Sequence, residues 1–201
     1  MEIGGGLIFI LFIVIACVLM SSKSETPKLD LDLSNEDPYK PGYPSEKYKE
    51  RIRMRIVKED TTVLSSGGIH FAEFLMKEFI DRSNKEILIF ERNFPGEIIV
   101  TFLPELKHFV ENRNGRIRVL YVDKTSEYDK FIELFKSTDD VKIEQINSDY
   151  FEDYGDPGIY VFDSKGIRLE YDTENHKSLY CFNDEENALY IRNKFTQSGI
   201  L

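Results

Sequence analysis

The amino-terminal part of the chain contains an uninterrupted apolar segment. Residues 3–20 carry no charged side chain, and residues 7–20 are almost all Leu, Ile, Val, Phe, Ala, Cys and Met. As an α-helix this segment spans about 27 Å, at a rise of about 1.5 Å per residue, which is close to a hydrocarbon core of about 30 Å. The sequence therefore predicts a single-pass transmembrane anchor over residues 3–20.

The residues around this segment bear on whether it is kept or cleaved, and both alternatives stay open. A secretory signal peptide carries Lys or Arg before its apolar run, whereas the first basic residue here is Lys23. The stretch ending in Cys17 is loosely similar to a lipoprotein cleavage box, but the apolar residues 18–20 behind it are unusual for one. Lys23 and Lys28 lie on the carboxyl side of the anchor, and we therefore expect the remaining chain on the cytoplasmic side.

A polar stretch separates the anchor from the globular part. Residues 21–50 hold four of the seven prolines and many Asp, Glu, Lys and Ser residues. Such a stretch buries too little apolar surface to offset the entropy lost on ordering. We expect a linker over residues 21–50 and one soluble domain over residues 51–197.

Charge and cysteine content limit the partners that we expect. The chain has 26 basic and 36 acidic side chains, a net charge of −10. Because acidic surfaces repel phosphate groups, we expect no broad binding of nucleic acid or of anionic lipid, although a local basic pocket is allowed. Cys17 and Cys181 alone cannot build a disulfide framework or a metal cluster, and no metal or cofactor is expected. The expected partners are the membrane and a protein or small anionic ligand, and a homodimer is compatible with the sequence.

Hydrophobic periodicity predicts an alternation of strands and helices. Ile52, Met54 and Ile56 alternate with basic residues, which indicates a first strand, and residues 65–68 have turn composition. The later predicted elements are a helix over 69–80, a strand over 86–91, a helix over 104–112, strands over 117–122 and 141–146 around a helix over 128–135, strands over 158–162, 167–171 and 179–182, and a helix with Ala188, Leu189, Ile191 and Phe195 facing inward. This order predicts an α/β fold with a mixed, mostly parallel sheet flanked by helices, a carboxyl-terminal β-meander and a closing helix.

The order of elements over residues 51–195 resembles one half of the phospholipase D/nuclease fold. Catalytic members of that superfamily carry His, any residue, Lys, four residues and then Asp on a strand that enters a hairpin. If Asp163 occupies the aspartate position, Asp156 and Gly158 occupy the histidine and lysine positions. The resemblance therefore implies a degenerate, non-catalytic phospholipase D-like domain in which Asp163 supports the turn.

The two replaced residues would carry the chemistry in a catalytic relative. Attack on phosphorus needs a neutral imidazole as the nucleophile and a cation that binds the phosphoryl oxygens. A carboxylate at Asp156 repels a phosphate, and Gly158 offers no charge. Two such motifs must also meet in the catalytic relatives, so a chain with one domain would have to dimerise.

Polar residues in two places form the predicted ligand site. Arg168 and Glu170 share one face of a hairpin strand, where the planar guanidinium can bind a phosphate or carboxylate, and a structural ion pair is the alternative. Further candidates follow the predicted parallel strands, at the sheet edge where open α/β folds bind ligands. These candidates are Glu91, Arg92, Asn93 and Tyr121.

The three histidines have simpler interpretations. His70 and His108 are read as ordinary helix residues, and His176 with Lys177 as a polar surface pair. The leading hypothesis is a membrane-tethered, non-catalytic binding, sensor or recruitment module. The alternatives are a membrane-bound phosphodiesterase or nuclease with a divergent active site, and a subunit whose domain mainly oligomerises.

Overall fold

The computed structural model describes residues 42–59, 61, 63–147 and 158–201. The predicted anchor, most of the predicted linker and Asp156 lie outside these residues. None of the helices in the described part of the chain is long and apolar enough to span a membrane.

Helices and strands alternate through most of the domain. The helices are α1 (Glu46–Val57), α2 (Ile69–Arg82), α3 (Glu97–Thr101), α4 (Leu103–Arg113), α5 (Tyr128–Phe135) and α6 (Glu185–Ser198). The strands are β1 (Leu64–Gly67), β2 (Glu86–Phe94), β3 (Arg116–Lys124), β4 (Val141–Gln145), β5 (Gly158–Phe162), β6 (Gly166–Asp172) and β7 (Lys177–Cys181).

These strands form one mixed sheet in the order β1-β7-β6-β5-β2-β3-β4. Only the pairs β2–β3 and β3–β4 are parallel, while β1–β7, β7–β6, β6–β5 and β5–β2 are antiparallel. The predicted mostly parallel sheet is therefore wrong. The β5–β6–β7 meander consists of hairpins, whose strands must run antiparallel, and it joins the parallel half through an antiparallel pairing with β2.

The first predicted strand is also wrong, because Ile52 and Ile56 belong to helix α1. The Ser45 side chain accepts a hydrogen bond from the Tyr48 backbone and caps this helix, whose start lies inside the predicted linker. Ile52 is fully buried, whereas Met54 is 58% exposed. Ile52 and Ile56 are four residues apart. An even separation puts two residues on one face of a strand, and a separation of four also puts them on one face of a helix. The first strand is instead β1, in the predicted turn.

Each face of the sheet packs against its own hydrophobic core, and alternate residues of a strand contribute to one core or the other. On one face, Ile87 and Ile89 of β2 pack in the larger core with residues from α1 to α5. On the other face, Leu88 and Phe90 pack against α6, which contributes Ala188, Ile191 and Phe195. Leu189, predicted to face inward, is instead 55% exposed. The polar residues described below lie on the face that carries the larger core.

Candidate functional site

Six polar residues from four strands lie together on this face. The strand register places Tyr160, Arg168 and Tyr180 side by side on β5, β6 and β7, and it places Ser178 opposite Glu170. Alternation along each strand puts all of them on one face, together with Glu91 of β2. We call this set the polar cluster, and its members are Glu91, Tyr160, Arg168, Glu170, Ser178 and Tyr180.

Arg168 lies at the centre of the polar cluster and is fully buried. Its Nε donates a hydrogen bond to the Tyr180 hydroxyl at 3.0 Å, and its Nη2 lies 2.9 Å from Glu170 Oε1. The guanidinium lies over the Tyr160 ring, 4.6 Å from the centroid. Burial acts to lower the pKa of Arg168, but the surrounding phenol and carboxylate oxygens outweigh burial and raise it, so the arginine is charged.

Glu91 forms the other end of the polar cluster. The Tyr160 hydroxyl donates to Glu91 Oε1, and the Gly96 amide donates to Oε2 at 2.7 Å. A Cβ at Gly96 would lie 3.1 Å from Glu91 Oε1, so a glycine lets the backbone approach the carboxylate. Burial raises the pKa of the Glu91 carboxyl to about 7, although both hydrogen bonds act to lower it. Glu91 therefore changes its charge near neutral pH.

His176 lies at the rim of the polar cluster, contrary to the expected surface pair. Its Nδ1 lies 3.3 Å from Glu170 Oε1 and its Nε2 lies 3.4 Å from Glu97 Oε2, and only 15% of its side chain is exposed. Lys177 points away from it and pairs with Asp172 at 3.1 Å. The turn between β6 and β7 brings His176 back beside Glu170, a proximity that depends on the irregular register of this hairpin.

Three atoms of the polar cluster are buried without a hydrogen bond. Arg168 Nη1 and Ser178 Oγ have no hydrogen-bond partner among the described residues. The Nη2 of Arg168 approaches Glu170 closely, but as an ion pair whose alignment is not that of a hydrogen bond. Since buried polar groups are nearly always paired in folded proteins, these atoms are unused hydrogen-bonding groups of the polar cluster.

The structure brings only some of the predicted site residues together. Arg168, Glu170 and Glu91 lie in the polar cluster. Asn93 is exposed, and Arg92 follows Glu91 on the opposite face of β2. Tyr121 is in register with Glu91 on β3, but its hydroxyl donates to Tyr128 at 3.2 Å, and its burial and this bond raise its pKa.

Tyr160, Tyr180, Ser178 and His176 complete the arrangement and were not predicted. Each reaches Arg168 or Glu170 from a neighbouring strand or turn, and strand register is set by pairing over many residues rather than by local sequence.

Asp163 supports the turn, as the resemblance implied. Its Oδ1 accepts hydrogen bonds from the backbone amides of Lys85 and Glu86 at 2.8 and 3.0 Å, and its Oδ2 accepts one from Asn84 at 2.7 Å. Asp163 has a φ of 51°, in the left-handed region that Asp adopts more readily than most residues. The carboxylate thereby joins the β5–β6 turn to the start of β2.

Gly158 stands where the resemblance would require a lysine, and the space beside it is occupied. A Cβ on Gly158 would lie 3.2 Å from the Tyr160 hydroxyl oxygen and 3.4 Å from Glu170 Oε2. Both atoms belong to the polar cluster, so a longer side chain here would displace it.

His70 contacts residues outside the polar cluster. The His70 ring stacks on Tyr43 with centroids 3.8 Å apart and lies 3.0 Å from Glu73, one helical turn away. Within the described residues no group of three or more His, Cys, Asp and Glu side chains is placed to hold a metal ion.

Comparison with known proteins relates this chain to others through its fold. No protein-family model and no curated protein matches it. The solved structure of TrmBL2, an archaeal chromatin protein, is similar with a TM-score of 0.52 at 13% identity, covering 76% of this chain and 58% of that one. NucT from Helicobacter pylori has a TM-score of 0.49 at 11% identity, and the match covers 68% of this chain and 94% of that one. A phosphatidylserine synthase from Haemophilus influenzae has a TM-score of 0.44 at 12% identity, covering 68% and 37%.

These comparisons correct one expectation drawn from net charge. The structure of TrmBL2 is described as showing a novel mode of DNA binding, so a DNA-binding protein shares this fold. The expectation of no broad nucleic-acid binding is thereby contradicted. Net charge is a property of the whole chain, whereas binding depends on how charge is distributed over one surface. What the comparisons establish for this chain is the mixed α/β fold.

Proposed function

We propose that this chain is a membrane-tethered recruitment or sensor module. Its domain is phospholipase D-like, does not hydrolyse phosphodiesters, and binds an anionic group of a ligand or partner at the polar cluster. Residues 3–20 form the anchor, and Lys23 and Lys28 favour a cytoplasmic domain.

The observation that carries the non-catalytic assignment is Gly158. A phosphodiesterase of the phospholipase D type needs a cation here for the phosphoryl oxygens, yet glycine has none, and Tyr160 and Glu170 fill the adjacent space. The cation of the polar cluster, Arg168, is already held by Glu170 and Tyr180. Asp163 keeps the structural role of the motif, so the fold persists without the reacting groups.

An activity measurement on the full chain in detergent tests this assignment. We expect no hydrolysis of bis-p-nitrophenyl phosphate, phosphatidylcholine or single-stranded DNA above the rate of a heat-denatured sample. Hydrolysis of any of the three would contradict the assignment.

The atoms without hydrogen bonds support the binding role. An anion that accepts from Arg168 Nη1 and Ser178 Oγ would remove the cost of two buried unpaired groups, which is about 1–3 kcal/mol for each. Inorganic phosphate is the simplest probe. We expect phosphate to raise the melting temperature of the full chain above that in sodium chloride of equal ionic strength.

Ser178→Ala separates binding from folding. Since the hydroxyl makes no hydrogen bond in the described structure, its loss should leave the melting temperature without phosphate unchanged or raise it, and it should remove the phosphate response. Ser137→Ala, at an exposed site, is the matched control and should respond like the unmodified chain. An equal response in Ser178→Ala would place the anion elsewhere.

The membrane orientation has its own test. A cysteine at the exposed Glu174, after replacement of Cys17 and Cys181 by alanine, should resist a membrane-impermeant thiol reagent in intact cells and react after the membrane is opened. Labelling in intact cells would reverse the proposed orientation.

The alternative function, a phosphodiesterase with a divergent active site, is favoured by His176. An imidazole whose Nδ1 contacts a buried carboxylate has the arrangement of an oriented nucleophile or base. Any hydrolysis in the assay above should then be lost in His176→Ala and kept in His108→Ala, which changes an exposed histidine on α4.

A further inference from the structure

Helix α1 presents a basic face to solvent in an otherwise acidic chain. Residues 46–58 contain six basic and two acidic side chains, a net charge of +4, whereas the whole chain has −10. Lys47, Arg51, Met54 and Lys58 are spaced by three and four residues, so they form one stripe along the helix. We call these four residues and the adjacent Val57 the α1 face.

Packing on the opposite side fixes the direction of the α1 face. Tyr48 and Ile52 are 1% and 0% exposed, and Ile56 packs against the same core. Arg53 pairs with Glu78 of α2 at 2.8 Å, which ties the helix to the domain on one flank. The α1 face is therefore a fixed surface of the domain.

The α1 face combines positive charge with exposed apolar side chains. Met54 and Val57 are 58% and 73% exposed, and they lie beside Arg51 and Lys58. At the surface of a bilayer, apolar side chains enter the headgroup region and Lys or Arg contacts anionic lipid, and the α1 face offers both kinds of group although the main apolar side of the helix is packed in the core.

We propose that the α1 face docks on the anionic headgroups of the bilayer that holds the chain. This proposal rests on the membrane anchor proposed above. Residues 21–45 join that anchor to α1, and a chain of this length spans at most about 90 Å. The helix is thus confined near one bilayer, and its positive charge complements phosphatidylserine while the acidic remainder of the domain is repelled.

The strength of docking should follow the charge of the α1 face. Each Lys or Arg near an anionic leaflet strengthens association by about fivefold, the equivalent of about 1 kcal/mol. Reversing Lys47, Arg51 and Lys58 to glutamate should therefore weaken docking by more than about a hundredfold. Docking should also weaken as salt concentration rises, because salt screens exposed charges.

The test uses the full chain in lipid nanodiscs. An environment-sensitive fluorophore is attached to Met54→Cys, after replacement of Cys17 and Cys181 by alanine, in discs of phosphatidylcholine with or without phosphatidylserine. We expect a blue shift of the emission only with phosphatidylserine, and its loss in Lys47→Glu/Arg51→Glu/Lys58→Glu. The control Lys130→Glu/Lys136→Glu/Lys142→Glu makes the same charge change at exposed sites elsewhere and should keep the shift.

The outcomes separate the docking from the anchor. A chain that does not co-elute with the discs lacks the anchor, and this result would overturn the docking proposal as well, because docking depends on the anchor. Co-elution with equal emission in both kinds of disc overturns docking alone, as does a shift that survives the reversal on the α1 face. A shift produced in phosphatidylcholine discs by duplex DNA, and absent with phosphatidylserine, would make the α1 face a nucleic-acid surface and overturn the lipid assignment.

Discussion

Arg168 and Glu170 lie two residues apart on β6, and their side chains meet at 2.9 Å in a part of the domain from which solvent is excluded. Alternation along the strand puts them on one face, and Tyr160 and Tyr180 enclose the arginine from the strands on either side. The pair therefore serves the fold whether or not a ligand joins it. A buried charge that keeps its partner is tolerated, whereas one that loses its partner is costly.

Arg168→Ala should destabilise the domain strongly. It leaves the Glu170 carboxylate buried without its arginine, and removal of one partner of a buried ion pair costs about 3–5 kcal/mol. Arg168→Met/Glu170→Leu removes both charges, and its free energy of unfolding should fall by less than that of Arg168→Ala. Denaturant unfolding of the full chain in detergent measures both losses.

Arg53→Ala is the control for the Arg168 variants. It breaks the ion pair with Glu78 from an arginine whose side chain is 46% exposed, and pairs of this kind contribute about 1 kcal/mol or less. A loss for Arg168→Ala no larger than that for Arg53→Ala would show that the burial of this arginine does not matter for stability.

Glu91 should make stability depend on pH near neutrality. The folded carboxyl keeps its proton up to about pH 7, whereas an unfolded one loses it near about pH 4.3. Between these values the folded state binds more protons than the unfolded state, so the contribution of Glu91 to stability falls as pH rises, by about 4 kcal/mol in total.

Glu91→Gln isolates this effect. The variant loses an acceptor for the Gly96 amide, which costs about 1 kcal/mol at every pH, but it cannot titrate. The stability of Glu91→Gln relative to the unmodified chain should therefore rise between about pH 5 and about pH 8, so that the variant becomes the more stable of the two. Glu174→Gln, at an exposed site, should differ in stability from the unmodified chain by the same amount at every pH. Parallel stability curves for Glu91→Gln and the unmodified chain would exclude titration of Glu91 in this range.

Asp163→Ala should cost about 2 kcal/mol, because three backbone amides lose their acceptor. Asp163→Asn also tolerates a positive φ but offers a single oxygen, so we expect an intermediate loss. Ser164→Ala controls for the turn itself, since Ser164 has a φ of 61°. Equal losses for Asp163→Ala and Ser164→Ala in thermal unfolding would assign the effect to the turn rather than to these hydrogen bonds.

Much of the fold could be predicted because several elements have strong local patterns. The apolar face of residues 69–80 predicted α2, and the apolar runs at 86–91 and 117–122 predicted β2 and β3. The failures arise where one local pattern fits two structures, as with Ile52 and Ile56 in α1. Sheet direction failed for a different reason: the pairing of β5 with β2 joins residues about 70 positions apart, and no local pattern encodes it.

Which residues of the candidate site lie close together was predicted only in part, and for similar reasons. Arg168 and Glu170 were found because two residues along a strand share a face, and Glu91 because it lies near the end of an apolar run. Tyr180 and His176 were missed because their proximity to Arg168 and Glu170 depends on the register of the β6–β7 hairpin. The protonation of Glu91 near neutral pH comes from burial, which only the packed structure determines.

Gly158→Lys should not create a phosphodiesterase, although it restores the residue type of the catalytic motif. Even Gly158→Ala places a Cβ 3.2 Å from the Tyr160 hydroxyl oxygen, and overpacking of this kind costs about 1–3 kcal/mol. The lysine should cost at least as much and displace Tyr160 from Glu91.

Gly115→Ala is a harsher reference, because its Cβ would lie 2.2 Å from Phe109 Cζ. Thermal unfolding should rank the losses as Gly115→Ala above Gly158→Ala, and the assay with bis-p-nitrophenyl phosphate should show no activity for Gly158→Lys. Hydrolysis by Gly158→Lys would mean that the polar cluster already contains the remaining catalytic groups, and it would contradict the proposed non-catalytic role.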